Sequence, residues 1–315
     1  MPYLNEFSSS NSPLDMTKTP EFFSLCESAD DLGIQYDKKV RYVSSNVVAR
    51  HQRFHFLEWG APSLPNLLLL HGGNQSAHSW DLVSLHLADR FHVIALDQRG
   101  HGDSEWARDA DYSSHAMAAD ASSVLSELDI DSVTVLGHSM GGMNTLRLAI
   151  EQPDLLDRIV LVDIGPELSE AGTKSIRNFV TENREFEDLE DFIQNVQKYD
   201  PYRSREHIER TVKYNLLERA DGRFVSKRDH GPRLATTQGQ REQSDRFSIN
   251  DTAHIAQPTL IIRGADSNVL SAEAAERFVQ ALPNGELKTV PNSGHNVHGQ
   301  NTSGFLDALL PFLLT

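Results

Sequence analysis

Gly137-His138-Ser139-Met140-Gly141 follows the apolar run Val133–Leu136 and leads into a predicted helix over Asn144–Gln152. Strand, sharp turn and helix in that order set a serine at the apex of the bend. The flanking glycines suit such a turn because they carry no side chain to collide and tolerate strained backbone angles. A serine held there is pushed out of the sheet, at the N-terminus of a helix whose amides favour negative charge. A bare G-x-S-x-G also arises by chance in ordinary turns. The buried strand before it and the helix behind it make this one a candidate nucleophile elbow.

Outward from that turn the chain alternates. Leu67–Leu70, Phe91–Leu96, Val133–Leu136 and Ile159–Val162 are short apolar runs, and Ser79–Ala88, Ser113–Leu128 and Asn144–Gln152 between them have helical spacing. Continuous apolar strands separated by helices predict an α/β fold with a mostly parallel sheet covered on both faces. Lys39–Val48 and Gln52–Trp59 read as an antiparallel pair at the sheet edge. After Asp163 the rhythm breaks: residues 164–257 hold no convincing buried strand and are charged and helical in spacing, as in Glu187–Tyr199 and Arg205–Leu217. The core pattern resumes with Thr259–Ile262, a helix over Ala272–Leu282, a strand at Glu286–Val290 and a last helix at Phe305–Leu313. The expected organisation is an N-terminal segment (1–38) whose order is left open, apart from a short helix within Glu21–Leu32. A first part of the core (39–163), a helical cap (164–257) and a second part of the core (258–315) follow. A cap inserted there, between the sixth and seventh core strands, would lie over the carboxyl ends of the strands, where open α/β sheets bind ligands.

Bulk composition narrows the partners. With 315 residues, 39% of them hydrophobic, the chain suits one large α/β domain or a core with an insertion, with enough apolar residues for a packed core. A net charge of −16 disfavours nucleic acid and anionic membrane surfaces as partners. Cys26 is the single cysteine, so no intrachain disulfide forms. No secretory signal or membrane-length apolar run is seen, so a soluble, cytoplasmic protein with a small-molecule substrate is expected. Self-association into a homo-oligomer is left open.

A serine hydroxyl needs a base in contact and an acid behind it. The base is expected on a loop after the last strand, which selects His295 in Asn292-Ser293-Gly294-His295, with Gly294 allowing close approach; the nearby His298 falls in the next turn. Two carboxylates compete for the acid. Asp163 ends the strand Ile159–Val162, and Asp266 follows the strand Thr259–Ile262. The usual Gly-x-x-Asp offset from Gly264 lands on Ser267, followed by Asn268, so Asp266 comes one residue early. Asp163 therefore ranks first and Asp266 is the alternate. The oxyanion hole is assigned to the amides of Met140 and Gly73, the latter in His71-Gly72-Gly73-Asn74, with His71 holding that turn.

Four motifs come in a telling order: His71-Gly72-Gly73, Asp97-Gln98-Arg99-Gly100-His101-Gly102-Asp103-Ser104, Gly137-His138-Ser139-Met140-Gly141-Gly142 and Gly294-His295. The chain resembles the α/β-hydrolase superfamily over residues 40–314. The resemblance implies an eight-stranded sheet, a cap domain and a Ser-His-acid triad. It assigns Asp97–Ser104 to shaping a turn and not to chemistry. Leu161–Pro166 resembles members whose acid follows the sixth strand, among them lactone and amide hydrolases.

Ser139 excludes the dehalogenase and epoxide hydrolase readings, which need aspartate there. No phosphate loop, dinucleotide fingerprint or H-E-x-x-H is present, and His51 and His55 sit in a strand-like stretch; no cofactor and no metal are expected. Trp80, Trp106 and Phe186 are either pocket aromatics or packing residues. The expected reaction is cofactor-free hydrolysis of a carboxylic ester or lactone of a small to medium molecule through an acyl-enzyme. A carbon–carbon bond or amide hydrolase with the same residues, or a ligand receptor on this fold, are the alternatives.

Overall fold

The computed structural model describes residues 13–182, 184–230 and 247–315. The strands are β1 (Leu14–Asp15), β2 (Tyr42–Ala49), β3 (Gln52–Trp59), β4 (Asn66–Leu70), β5 (His92–Leu96), β6 (Val133–His138), β7 (Leu156–Val162), β8 (Glu185–Phe186), β9 (Leu216–Glu218), β10 (Phe224–Ser226), β11 (Thr259–Gly264) and β12 (Gly285–Val290). Nine of them form one sheet in the order β1-β2-β3-β5-β4-β6-β7-β11-β12. β5 to β12 of that sheet run parallel, while β1, β2 and β3 pair antiparallel at one edge.

Side chains of the inner parallel strands alternate between two apolar layers. Leu67 and Leu69 pack on one face with α1 (Pro20–Asp31), α2 (Asp81–Leu87) and the C-terminal helix; Leu68 and Leu70 pack on the other with α3 (Ser114–Glu127) and α4 (Met140–Glu151). Burial on both faces is why these strands read as unbroken apolar runs.

Two expectations change here. The sheet has nine strands where eight were expected, because Leu14–Asp15 of the N-terminal segment adds to the edge. The same segment carries α1, capped by the Thr19 hydroxyl with Pro20 in its first turn, and it buries Phe22, Leu25 and Ala29 in the main core. Leu25 is 2% exposed. Leu25→Ala is therefore expected to cost about 2–5 kcal/mol of stability, read as a fall in the urea midpoint; an unchanged midpoint would mean the segment does not belong to the core.

The second change concerns residues 164–257. They contain α5 (Glu170–Glu182), α6 (Leu189–Tyr199), α7 (Arg205–Val212) and α8 (Ile249–Thr252), but also a three-stranded antiparallel sheet, β8-β10-β9. The expected helix over Arg205–Leu217 stops at Val212, and Leu216 already belongs to β9. Strands of two or three residues are too short to show a period of two. Phe186, Phe192, Ile193, Val196, Ile208, Val212 and Leu216 give this insertion an apolar cluster of its own. After it come α9 (Ala272–Ala281), α10 (Val297–Gln300) and α11 (Thr302–Leu313). Among the described residues no helix is long and apolar enough to cross a membrane.

Candidate active site

β4, β6, β7, β11 and β12 are successive neighbours, so the loops leaving their carboxyl ends meet. Leu70 lies opposite Gly137, His138 opposite Val162, and Gly264 opposite Val290. Ser139, Asp163 and the loop carrying His295 thus leave the same end of adjacent strands.

At the elbow, α4 starts at Met140, four residues before the expected start at Asn144. Its first turn is Met-Gly-Gly-Met, which reads as a loop until the neighbours are known. A Cβ on Gly141 would stand 2.2 Å from the Leu70 carbonyl oxygen, and one on Gly137 would stand 2.4 Å from Thr145 Oγ1. The glycines are required by close approach. The strained backbone falls on the serine itself, with φ +49° and ψ −112°. A non-glycine residue there costs about 1–3 kcal/mol, held in place by the packing around it. The serine amide anchors the turn by donating to the Val162 carbonyl at 3.2 Å.

The imidazole of His295 donates from Nδ1 to Asp163 Oδ2 at 2.8 Å. Asp163 is fully buried and also left-handed, at φ +51°. Its carboxylate collects two more donors, the Gly264 amide at 3.2 Å and the Ser267 hydroxyl at 2.5 Å. Ser267 occupies the offset where an acid was sought; it supports the acid on the neighbouring strand. Asp266 is exposed, and its carboxylate accepts from the Tyr202 hydroxyl at 3.2 Å. Of the two competing acids, the imidazole bonds Asp163. The close approach credited to Gly294 belongs instead to Gly264, whose Cβ would stand 2.0 Å from the Gly294 carbonyl oxygen.

Ser139 Oγ makes no hydrogen bond among the described residues. It lines the same cavity as His295, Gly73, Met140 and Asn74, and without substrate such contacts are commonly loose. The cavity holds about 1070 Å³ and continues under the insertion along Leu168, Ile176, Phe179 and Val180. Met140 supplies the first amide of α4, one that has no partner within the helix.

A family model for the alpha/beta hydrolase fold matches residues 65–302. The chain is an α/β-hydrolase. It is 28% identical over 304 residues to an esterase of Mycobacterium tuberculosis, covering 93% of this chain and 95% of the relative. It is likewise 28% identical over 269 residues to an sn-1-specific diacylglycerol lipase of Mus musculus, covering 81% and 82%. A crystal structure of E-2-(acetamidomethylene)succinate hydrolase shares the fold, with a TM-score of 0.78, 23% identity and coverage of 87% of this chain and all of that one.

Around the histidine, this α/β-hydrolase carries supports that its sequence did not announce. His138, inside the G-x-S-x-G, has Nε2 2.9 Å from the His295 carbonyl oxygen. Gln300 Oε1 accepts from the Gly294 amide at 2.6 Å, while Gln300 Nε2 donates to Asp200 of the insertion at 2.9 Å. The peptide bearing the imidazole is thus held from both sides. Burial, then the neighbouring His298 and His295, keeps His138 well below the usual histidine range. Burial also brings His298 down to about 3, with Arg203 adding to the effect. Both rings stay neutral at ordinary pH and bring no positive charge up beside His295. A polar side chain at the end of a helix gives no periodic signal, so Gln300, the last residue of α10, and Asp200, just past α6, became legible only through their contacts.

Other expectations sort cleanly. His71 is buried, with Nδ1 2.8 Å from the Gly72 carbonyl oxygen, and its Nε2 accepts the Gln98 amide at 3.1 Å, as a turn-holding residue would. Asp97 accepts from the Ala77 and Asp103 amides and bonds His55 Nδ1 at 2.8 Å. These bonds brace the Asp97–Ser104 turn. His55, Asp97 and Asp103 form the one group of possible metal ligands among the described residues, and the Asp97 oxygens in it are already engaged by those partners. None of the three aromatics lines the cavity. Trp80 is buried and stacked on His298, Phe186 is buried against Phe192, and Trp106 is exposed with its indole N–H on the Lys227 carbonyl.

Proposed function

We propose that this α/β-hydrolase cleaves carboxylic esters or lactones of small to medium molecules with Ser139 as nucleophile, His295 as base and Asp163 as acid. The reading is carried by the His295–Asp163 hydrogen bond at the wall of the cavity into which the strained Ser139 elbow opens. The names of its relatives, an esterase and a diacylglycerol lipase, lie in the same class of reaction.

His295 Nε2 takes the proton as Ser139 Oγ attacks the carbonyl. Asp163 keeps the Nδ1 proton in place and stabilises the imidazolium that forms. The Gly73 and Met140 amides receive the negative oxygen of the tetrahedral intermediate. The imidazolium then protonates the leaving alcohol, and water, activated by the same imidazole, releases the acid from the serine ester. The 164–257 insertion acts as a cap that shapes the acyl and alcohol sites.

An acyl-enzyme makes the test direct. Rapid mixing with p-nitrophenyl acetate should give a burst of nitrophenolate equal to the enzyme present. Peptide mass analysis after acid quench should find the acetyl group on Ser139. Turnover with the label elsewhere, or with no covalent species, would remove this mechanism. A matched panel of esters, lactones and amides then separates the substrate classes that share the machinery.

A further inference from the structure

The chain carries 45 acidic and 29 basic residues, yet its cavity reverses that balance. Five arginine or lysine side chains line it against three aspartates, Asp200, Asp229 and Asp266. Asp200 is committed to Arg203, whose Nε reaches its Oδ2 at 2.7 Å. Asp229 receives the Tyr112 hydroxyl and Asp266 the Tyr202 hydroxyl. Arg177, Arg184 and Lys198 make no ion pair among the described residues. All three are exposed side chains of the insertion, and all three border the cavity.

Arg203 adds a fourth, better-fixed cation. Its side chain is 12% exposed, Nε is held by Asp200, and Nη1 reaches Thr211 Oγ1 at 3.3 Å. Neither bond uses Nη2, and Arg203 lines the cavity. The same cavity is lined by the apolar residues Leu168, Ile176, Phe179 and Val180. Cations gathered in a cleft with low-dielectric walls focus the field and attract a substrate of opposite sign, even against a negative whole.

We infer that the ester this hydrolase prefers is anionic, with a carboxylate set apart from the scissile bond by a short apolar chain. The carboxylate meets Arg203 and the wall of Arg177, Arg184 and Lys198. This rests on the hydrolase reading above and adds the charge of the substrate to it.

The test uses two matched pairs on the full-length enzyme, with the Ser139→Ala protein as blank. One pair is the p-nitrophenyl monoester of adipate against its neutral methyl adipate analogue, which places the charge on the acyl side. The other is 4-acetoxybenzoate against its methyl ester, which places it on the alcohol side. In at least one pair the anionic member is expected to show a kcat/KM about 10-fold or more higher at low salt, with the ratio shrinking as sodium chloride is raised. The triple variant Arg177→Gln/Arg184→Gln/Lys198→Gln should bring that ratio toward one. Ser139-dependent turnover with both ratios at or below one would overturn the charge inference and leave the hydrolase reading standing. A preference undiminished in the triple variant would overturn the assignment to these side chains. Ser139-independent turnover, or none on any of the four esters, would overturn the hydrolase reading and this inference with it.

Discussion

A Ser139→Ala enzyme is expected to hydrolyse its best ester on the order of 10⁶-fold more slowly than the parent. The size of the effect follows from the role: without Oγ there is no acyl-enzyme, and only the oxyanion donors and substrate binding remain to help water. The substitution should leave the fold alone. Ser139 Oγ makes no hydrogen bond among the described residues, and alanine meets the same strain at φ +49° that serine does. Substrate affinity, measured by equilibrium dialysis with a slow ester, should therefore change little while kcat collapses. Parent-like turnover by a correctly folded Ser139→Ala protein, judged by its urea midpoint, would place the chemistry elsewhere.

Much of this was legible because the decisive residues sit where secondary structure ends. Leu67–Leu70 and Ile159–Val162 are apolar on both faces of the sheet, so their strands, and the residues just past them, could be placed from sequence. That is enough to find Ser139 and to bring His295 and Asp163 into contention.

What stayed hidden depends on contacts between distant segments. β1 exists because Leu14 meets Ser44, β8 because Phe186 meets Phe224, and β9 because Leu216 meets Ser226. No local pattern encodes those pairings. The choice between Asp163 and Asp266 turned on backbone angles and register. A left-handed φ at Asp163 and the approach of the 293–294 loop to Gly264 bring that carboxylate to the imidazole. Charge was hidden in the same way: a chain of net −16 gives no hint that its cavity is basic, because the bulk count does not say which side chains share a cleft.

Replacing each candidate acid by its amide should separate them widely. Asp163→Asn is expected to lower kcat about 10⁴-fold, whereas Asp266→Asn should stay within a few-fold of the parent. The amide is nearly isosteric and asparagine tolerates the left-handed backbone at φ +51°, so the protein should fold. The loss arises from the proton inventory. At Asp163 the Gly264 amide donates to Oδ1, while the Ser267 hydroxyl and His295 Nδ1 share Oδ2. A backbone N–H can only donate, so it selects the amide oxygen at Oδ1 and puts the NH₂ group at Oδ2, where the Ser267 hydroxyl can turn to accept and the other N–H faces His295 Nδ1. A donor there forces Nδ1 to accept, which moves the imidazole proton to Nε2, the atom that has to take the serine proton. Among the described residues the exposed Asp266 carboxylate has no such neighbour; it meets only the Tyr202 hydroxyl at 3.2 Å. Stopped-flow acylation rates for the two variants decide the matter. A large loss in Asp266→Asn together with a mild one in Asp163→Asn would mean that the resting His295–Asp163 bond is exchanged for another during the reaction, and the assignment of the acid would fall.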